Sequence, residues 1–149
     1  MIVQSGFYRA STITSIVLAL AVALSACGLT SNGRALNLTD RENPPLTRAN
    51  LLAPLGNGLL GSMAGKFSRA ELNLALEAEY CALEYTLAGR SVSWSGNGSN
   101  SGEVGAAQPY QVGSQNCRQY SHNFTIKGFS QISRGTACRN LDGSWTHLK

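Results

Sequence analysis

The dipeptide Lys127-Gly128 constrains this chain more than any other pair, because it lies midway between two cysteines. A two-residue connection ending in glycine suits a tight antiparallel hairpin. With Ile126 facing Phe129, each step back along one strand meets a step forward on the other, and Cys117 meets Cys138. The alternation of bonded and non-bonded pairs makes the two cysteines a non-hydrogen-bonded pair, with Cα atoms ~4.5 Å apart. That distance falls within the ~4.4–6.8 Å that a disulfide accepts. The register holds only if no bulge intervenes near Gly135. The same alternation puts Tyr120, His122, Phe124, Ile126 and Phe129 on one face, the expected core, and the disulfide on the other. Closing a loop of about 20 residues contributes roughly 3 kcal/mol in the chain-entropy account.

Upstream of the hairpin the period is helical. Ser68-Arg69-Ala70-Glu71 reads as a capping box, and Gly89 suits the position past the last turn. Between them Leu72, Leu76, Tyr80, Leu83 and Leu87 trace one apolar stripe. Leu74, Ala78, Cys81 and Tyr85 trace a second, nearly opposite stripe. After Gly89 the period becomes two. Strands are expected at Ser91 to Ser95, Glu103 to Gln111, Cys117 to Ile126, Phe129 to Cys138 and Gly143 to Leu148, with a turn-rich loop from Gly96 to Gly102. The expected fold class is α+β: one capped helix followed by a small antiparallel β-meander with a cross-strand disulfide.

The N-terminus follows different rules. Ile13 to Leu24 is uncharged and free of proline, and Arg9 precedes it. This is the layout of a secretory signal peptide, and it is too short for the ~20 residues of a transmembrane helix. Leu24-Ser25-Ala26-Cys27 resembles the lipobox of bacterial lipoproteins. The resemblance implies a diacylglyceryl group on the Cys27 thiol, cleavage after Ala26, and a palmitate-type acyl chain on the new amino terminus. Gly28 in place of aspartate implies export to the outer membrane. Residues 1–26 are then a signal peptide, 27–66 a lipidated tether with a short glycine-rich apolar segment, and 67–149 the folded domain. Within the tether, Leu51 to Gly65 is uncharged and holds one GxxxG at Gly61 and Gly65. That spacing suits paired membrane helices, whereas Pro54 and Gly56 favour an apolar loop lying on the domain or at the lipid surface.

The net charge is +4, but the basic residues are scattered, so nucleic acid is not an expected partner. Cysteine arithmetic leaves Cys81 over once Cys27 is lipidated and Cys117 pairs with Cys138. Either Cys81 is a buried unpaired thiol or it links two copies through the second helix stripe. His122 falls on the aromatic face and reads as a core or hydrogen-bonded histidine, and His147 reads as exposed. Asp142 belongs to a turn, and Glu77 and Glu84 read as a solvated helix side. No CxxC or HExxH spacing is present, so no catalytic residue, metal ligand or cofactor is expected.

Four stretches bear a family resemblance. They are Ala82-Leu83-Glu84-Tyr85, Val92-Ser93-Trp94, Asn116-Cys117-Arg118-Gln119-Tyr120, and Gly135-Thr136-Ala137-Cys138-Arg139-Asn140-Leu141-Asp142-Gly143-Ser144-Trp145. Together they resemble the 17 kDa outer-membrane surface antigens of alphaproteobacteria. The resemblance implies a lipoprotein with a small disulfide-bonded β domain and a non-catalytic role in the envelope. Its expected contacts are the membrane through the lipid and either an envelope protein or peptidoglycan. A ligand-binding or hydrolase-inhibiting module is the alternative. The chain departs from the pattern in two places: the glycine zipper of typical members shrinks to Gly56–Gly65, and Cys81 stands where similar proteins carry a basic or polar residue.

Overall fold

A computed structural model describes residues 47–148. Residues 1–26, Cys27 and the tether before Thr47 lie outside the described residues, so the signal-peptide and lipidation expectations are carried forward as such. The described chain opens with α1 (Arg48–Leu52) and two 3-10 segments, Ala53–Leu55 and Gly58–Lys66. The long helix α2 (Arg69–Glu84) follows. Six strands complete the fold: β1 (Ser91–Ser95), β2 (Ser101–Ala106), β3 (Tyr110–Val112), β4 (Gln115–Ile126), β5 (Phe129–Arg139) and β6 (Trp145–Leu148).

The strands form one antiparallel sheet in the order β1-β2-β4-β5-β6, with β3 also on β4. Sheet dominates the fold, so the expected α+β class holds only coarsely. β2 and β3 pair with successive stretches of β4, so the single strand expected from Glu103 to Gln111 is broken in two, with Pro109 in the gap. The hairpin register is the expected one throughout: Ile126 faces Phe129, Tyr120 faces Gly135 without a bulge, and Cys117 faces Cys138. These cysteines form a disulfide with a Cα–Cα distance of 4.0 Å.

α2 begins at the expected capping box. The Glu71 amide donates to Ser68 Oγ at 3.2 Å, and Glu71 Oε2 accepts from the Ser68 amide at 2.8 Å. It ends at Tyr85, earlier than the expected stop at Gly89. Its inward line is Ala75, Ala78, Glu79, Ala82 and Leu83, all buried. Small side chains on that line let the helix lie close to β1, β2 and β4. Leu72, Leu76 and Tyr80 flank it, while Leu87 is exposed beyond the helix end.

The segment expected to be a tether proves to be part of the fold. Its 3-10 turns cover β5, β6 and part of β4, extending the cover that α2 gives to β1, β2 and β4. Leu51, Leu52, Leu55, Leu59, Leu60 and Ala64 join the same hydrophobic cluster as Leu83, Phe124 and Trp145. The folded unit therefore includes the chain from Thr47 onward rather than beginning at residue 67. The GxxxG spacing does not make a helix face, because Gly61 has φ 51° and kinks the run. A second correction concerns Phe129, expected in the core but 79% exposed. Helical cover ends before the hairpin tip, so the inner face there meets solvent.

Leu60 gives a test of this boundary. Truncating a fully buried leucine costs about 2–5 kcal/mol, so Leu60→Ala should lower the urea unfolding free energy by that amount. A loss under about 0.5 kcal/mol, the usual size for surface changes, would return the segment to the tether.

Candidate functional site

The densest cluster of chemically capable side chains lies between α2 and the sheet. Glu79 and His122 have no exposed surface, and Trp94 and Tyr120 are buried beside them. Trp94 Nε1 donates to His122 Nε2 at 2.8 Å. Indole is a donor only, so Nε2 is the unprotonated nitrogen and the proton of this neutral ring sits on Nδ1. Nδ1 lies 2.8 Å from Glu79 Oε1 and donates to it. The same oxygen accepts the Leu59 amide at 2.9 Å. Glu79 Oε2 accepts from the Tyr120 hydroxyl at 3.3 Å, and that hydroxyl lies 3.1 Å from His147 Nδ1. The phenol of Tyr120 is held well above its ordinary range, chiefly by burial and then by the Glu79 charge.

Close approach explains two glycines here. A Cβ on Gly102 would lie 2.5 Å from Trp94 Nε1, and one on Gly58, already at φ 54°, would lie 2.1 Å from Glu79 Oε2. Edge-on aromatic contacts wall the site: Trp94 and Phe124 both meet the His122 ring, and Phe67 meets Trp94 and Phe124. The network nears solvent at His147, beside a recess of about 660 Å³ between Pro54–Gly58 and Thr146–His147.

Two further clusters pin the far end of α2. Arg118 Nη1 donates to the carbonyls of Ala82, Leu83 and Thr86 at 3.1, 2.7 and 3.0 Å, and its Nε donates to Ala107 O at 2.8 Å. The guanidinium thus satisfies carbonyls that a helix end leaves unpaired and complements the negative end of the helix dipole. Its fourth contact fills the break between β2 and β3. Burial holds the Arg118 pKa below the usual arginine range. Beside it, Arg139 forms a bidentate pair with Glu84, both contacts at 2.8 Å, and Trp145 Nε1 donates to Glu84 Oε2 at 2.8 Å. Arg139 holds the Glu84 carboxyl below the ordinary carboxylate range.

The site residues read from the sequence thus have distinct fates. His122 is the hydrogen-bonded core histidine expected, His147 is partly buried, and Asp142 serves its turn by accepting from the Ser144 amide and hydroxyl. Glu84 is not on a solvated side, because Arg139 and Trp145 take it inward. Of the two alternatives for Cys81, the unpaired thiol is excluded: the residue is 2% exposed and disulfide-bonded, and its partner is not among the described residues. Glu79 escaped the sequence reading altogether, and Arg118 entered it only as part of a family-like stretch, without a role. Glu79 had one available signal, its helical spacing of four from Ala75 and three from Ala82 on the most buried line.

The model of a family described as 17 kDa outer membrane surface antigen matches residues 81–146. Over those residues the chain is similar to the 17 kDa outer membrane surface antigen family. Proteins named 17 kDa surface antigen from Rickettsia bellii (strain RML369-C) and Rickettsia felis (strain ATCC VR-1525 / URRWXCal2) are similar over 66 residues, at 38% and 39% identity. The similarity covers 43% of this chain and 42% of each relative, so the chain matches less than half the length of these curated proteins. No solved structure matches. Of the Glu79 network, the surface-antigen region supplies Trp94, Tyr120 and His122, whereas Leu59, Glu79 and His147 lie outside it.

The Glu84–Arg139 pair gives a pH test. A carboxyl with a depressed folded pKa binds its proton more weakly folded than unfolded. Its stabilisation is complete above the unfolded value near 4.3 and is lost as pH falls through the depressed one. Glu71 and Asp142 are shifted in the same direction by their Ser68 and Ser144 hydrogen bonds. Glu84→Gln should therefore cost about 2 kcal/mol at neutral pH, with the gap from wild type closing in acid. A gap that stayed constant to pH 2, in urea unfolding across pH, would contradict this role.

Proposed function

We propose that this chain is an outer-membrane lipoprotein of surface-antigen type with a non-catalytic, structural or protein-interaction role in the bacterial envelope. Similarity to the surface-antigen family over residues 81–146 supports the surface placement. The lipobox at Leu24 to Cys27 supports lipid anchoring through Cys27.

One observation carries the non-catalytic reading. The charged side chains of the family-like stretches bond to the fold itself, Arg118 to the α2 carbonyls, Arg139 to Glu84 and Asp142 to Ser144, and Tyr120 and Trp145 donate to Glu79 and Glu84. Catalysis needs a base or nucleophile within reach of a substrate, and these groups are committed to internal partners. Contact with an envelope protein or peptidoglycan then falls to the exposed surface. A binding module acting on a hydrolase remains the alternative, and crosslinking in intact cells separates the two by the partner recovered.

Three acyl chains on one residue would anchor firmly, since each buried methylene contributes ~0.8 kcal/mol. Wild-type protein should incorporate labelled palmitate and fractionate with the outer membrane, and Cys27→Ala should lose both. Thioether and disulfide chemistry at Cys27 exclude each other. Mass spectrometry of the mature amino-terminal peptide should therefore find an acylated glyceryl thioether, and a Cys27 disulfide in its place would overturn the lipid anchor.

A further inference from the structure

The acidic side chains of the described residues are all engaged internally. Glu71 serves the α2 cap and Asn100, Glu77 pairs with Arg48, Glu103 accepts from Ser91, and Glu79, Glu84 and Asp142 are bound as described. Among the basic residues, Arg48, Arg118 and Arg139 are similarly engaged. Lys66 and Lys127 make no ion pair among the described residues, and they flank one exposed apolar feature.

That feature is the β4–β5 hairpin tip. Phe129 is 79% exposed although it lies on the inner face, opposite Ile126 in the closing pair. Met63, Ile126 and Phe129 line a recess of about 440 Å³, with Lys66, Lys127 and Gln131 around it. Apolar surface thus runs continuously outward from the core through Ile126, which is 7% exposed, to a projecting ring. The tip is braced, because the Lys127 amide donates to Asn100 Oδ1 at 3.1 Å across the loop before β2.

We propose that this tip is a docking element for the surface of an anionic phospholipid bilayer, with Phe129 entering the interface and Lys66 and Lys127 on the headgroups. Charge complementarity chooses the occupant, since both flanking charges are positive and unmatched among the described residues. Shape supports it: a ring projecting from a tight turn needs a partner that yields around it, as lipid does. An apolar ring such as that of phenylalanine buries at the boundary between headgroups and acyl chains, and lysine stems can lie along apolar surface while the ammonium stays with the headgroups. The domain can reach the membrane, because the 20 residues at positions 27–46 extend to at most roughly 70 Å. That reach rests on the proposed Cys27 anchor, whereas the binding chemistry at the tip does not.

The test uses the chain from Cys27 onward, produced without its signal segment so that no acyl group is added. Residues 47–148 share one hydrophobic cluster, and no buried side-chain polar atom among them lacks a partner, so this chain holds the whole folded unit. The protein should cosediment with phosphatidylcholine vesicles containing one-third phosphatidylglycerol and bind pure phosphatidylcholine much more weakly. Lys66→Glu with Lys127→Glu should weaken binding by at least about fivefold per lysine. Phe129→Ser should weaken it by about tenfold with an unchanged near-ultraviolet circular dichroism spectrum. Phe129→Trp should retain binding and shift its emission to the blue on anionic vesicles. Absence of cosedimentation, wild-type binding by Phe129→Ser, or indifference to both lysine changes would overturn the proposal. None of these outcomes bears on Cys27, whose acylation is read separately by mass spectrometry.

Discussion

A carboxylate with no exposed surface, Glu79, sets the conditions under which this fold can form. An isolated charge in a protein interior is prohibitively unfavourable, and no cation sits beside Glu79 in the hydrogen-bond network. Three neutral donors take that place: the Leu59 amide, the His122 Nδ1–H and the Tyr120 hydroxyl. They come from a 3-10 segment and the central strand, while the acceptor rides on α2. The helix, the sheet and the preceding segment therefore satisfy the charge only when all three are assembled. Such a network favours one arrangement strongly, because in a low dielectric its complete form is reinforced and its incomplete form is penalised.

The far end of α2 follows a related rule. There the demand comes from backbone carbonyls rather than a side chain, and Arg118 meets it from β4 while also spanning the gap between β2 and β3. Glu84 is held to β5 and β6 through Arg139 and Trp145. The helix is thus fixed at its start by its own capping box, in its middle by Glu79, and at its end by Arg118 and Glu84. This placement gives the residues resembling the 17 kDa surface antigens a physical reason to occur together. Cys117, Arg118 and Tyr120 lie along β4; Cys138 and Arg139 lie on β5 beside it, and Trp145 on β6 beyond. Each meets a partner on α2 or across the hairpin.

Local, periodic features were legible in the sequence. The capping box, the strand alternation and the turn at Lys127-Gly128 act between near neighbours, and the hairpin carried the disulfide register with it. Residues 48–66 were illegible because 3-10 turns kinked at Gly61 bury leucines with no regular period. Glu79 was illegible because a helical glutamate is ordinarily solvated, and only its partners from distant strands reverse that. Arg118 and Glu84 were missed for the same reason. Phe129 misled in the opposite sense: its face was read correctly, but where helical cover stops depends on tertiary packing.

The functional reading follows from where polar chemistry has been committed. Groups that could serve a reaction are tied into the interior, and the described acidic residues are neutralised or bonded there too. What meets the surroundings is a polar sheet face, scattered positive charge and the apolar hairpin tip. The central claim, that a neutral His122 donates from Nδ1 to a buried Glu79 carboxylate, is most directly tested by long-range proton–nitrogen NMR correlation of the His122 ring at neutral pH. The account predicts a protonated Nδ1 and an unprotonated Nε2 accepting the Trp94 indole proton. A ring protonated at Nε2, or at both nitrogens, would contradict it.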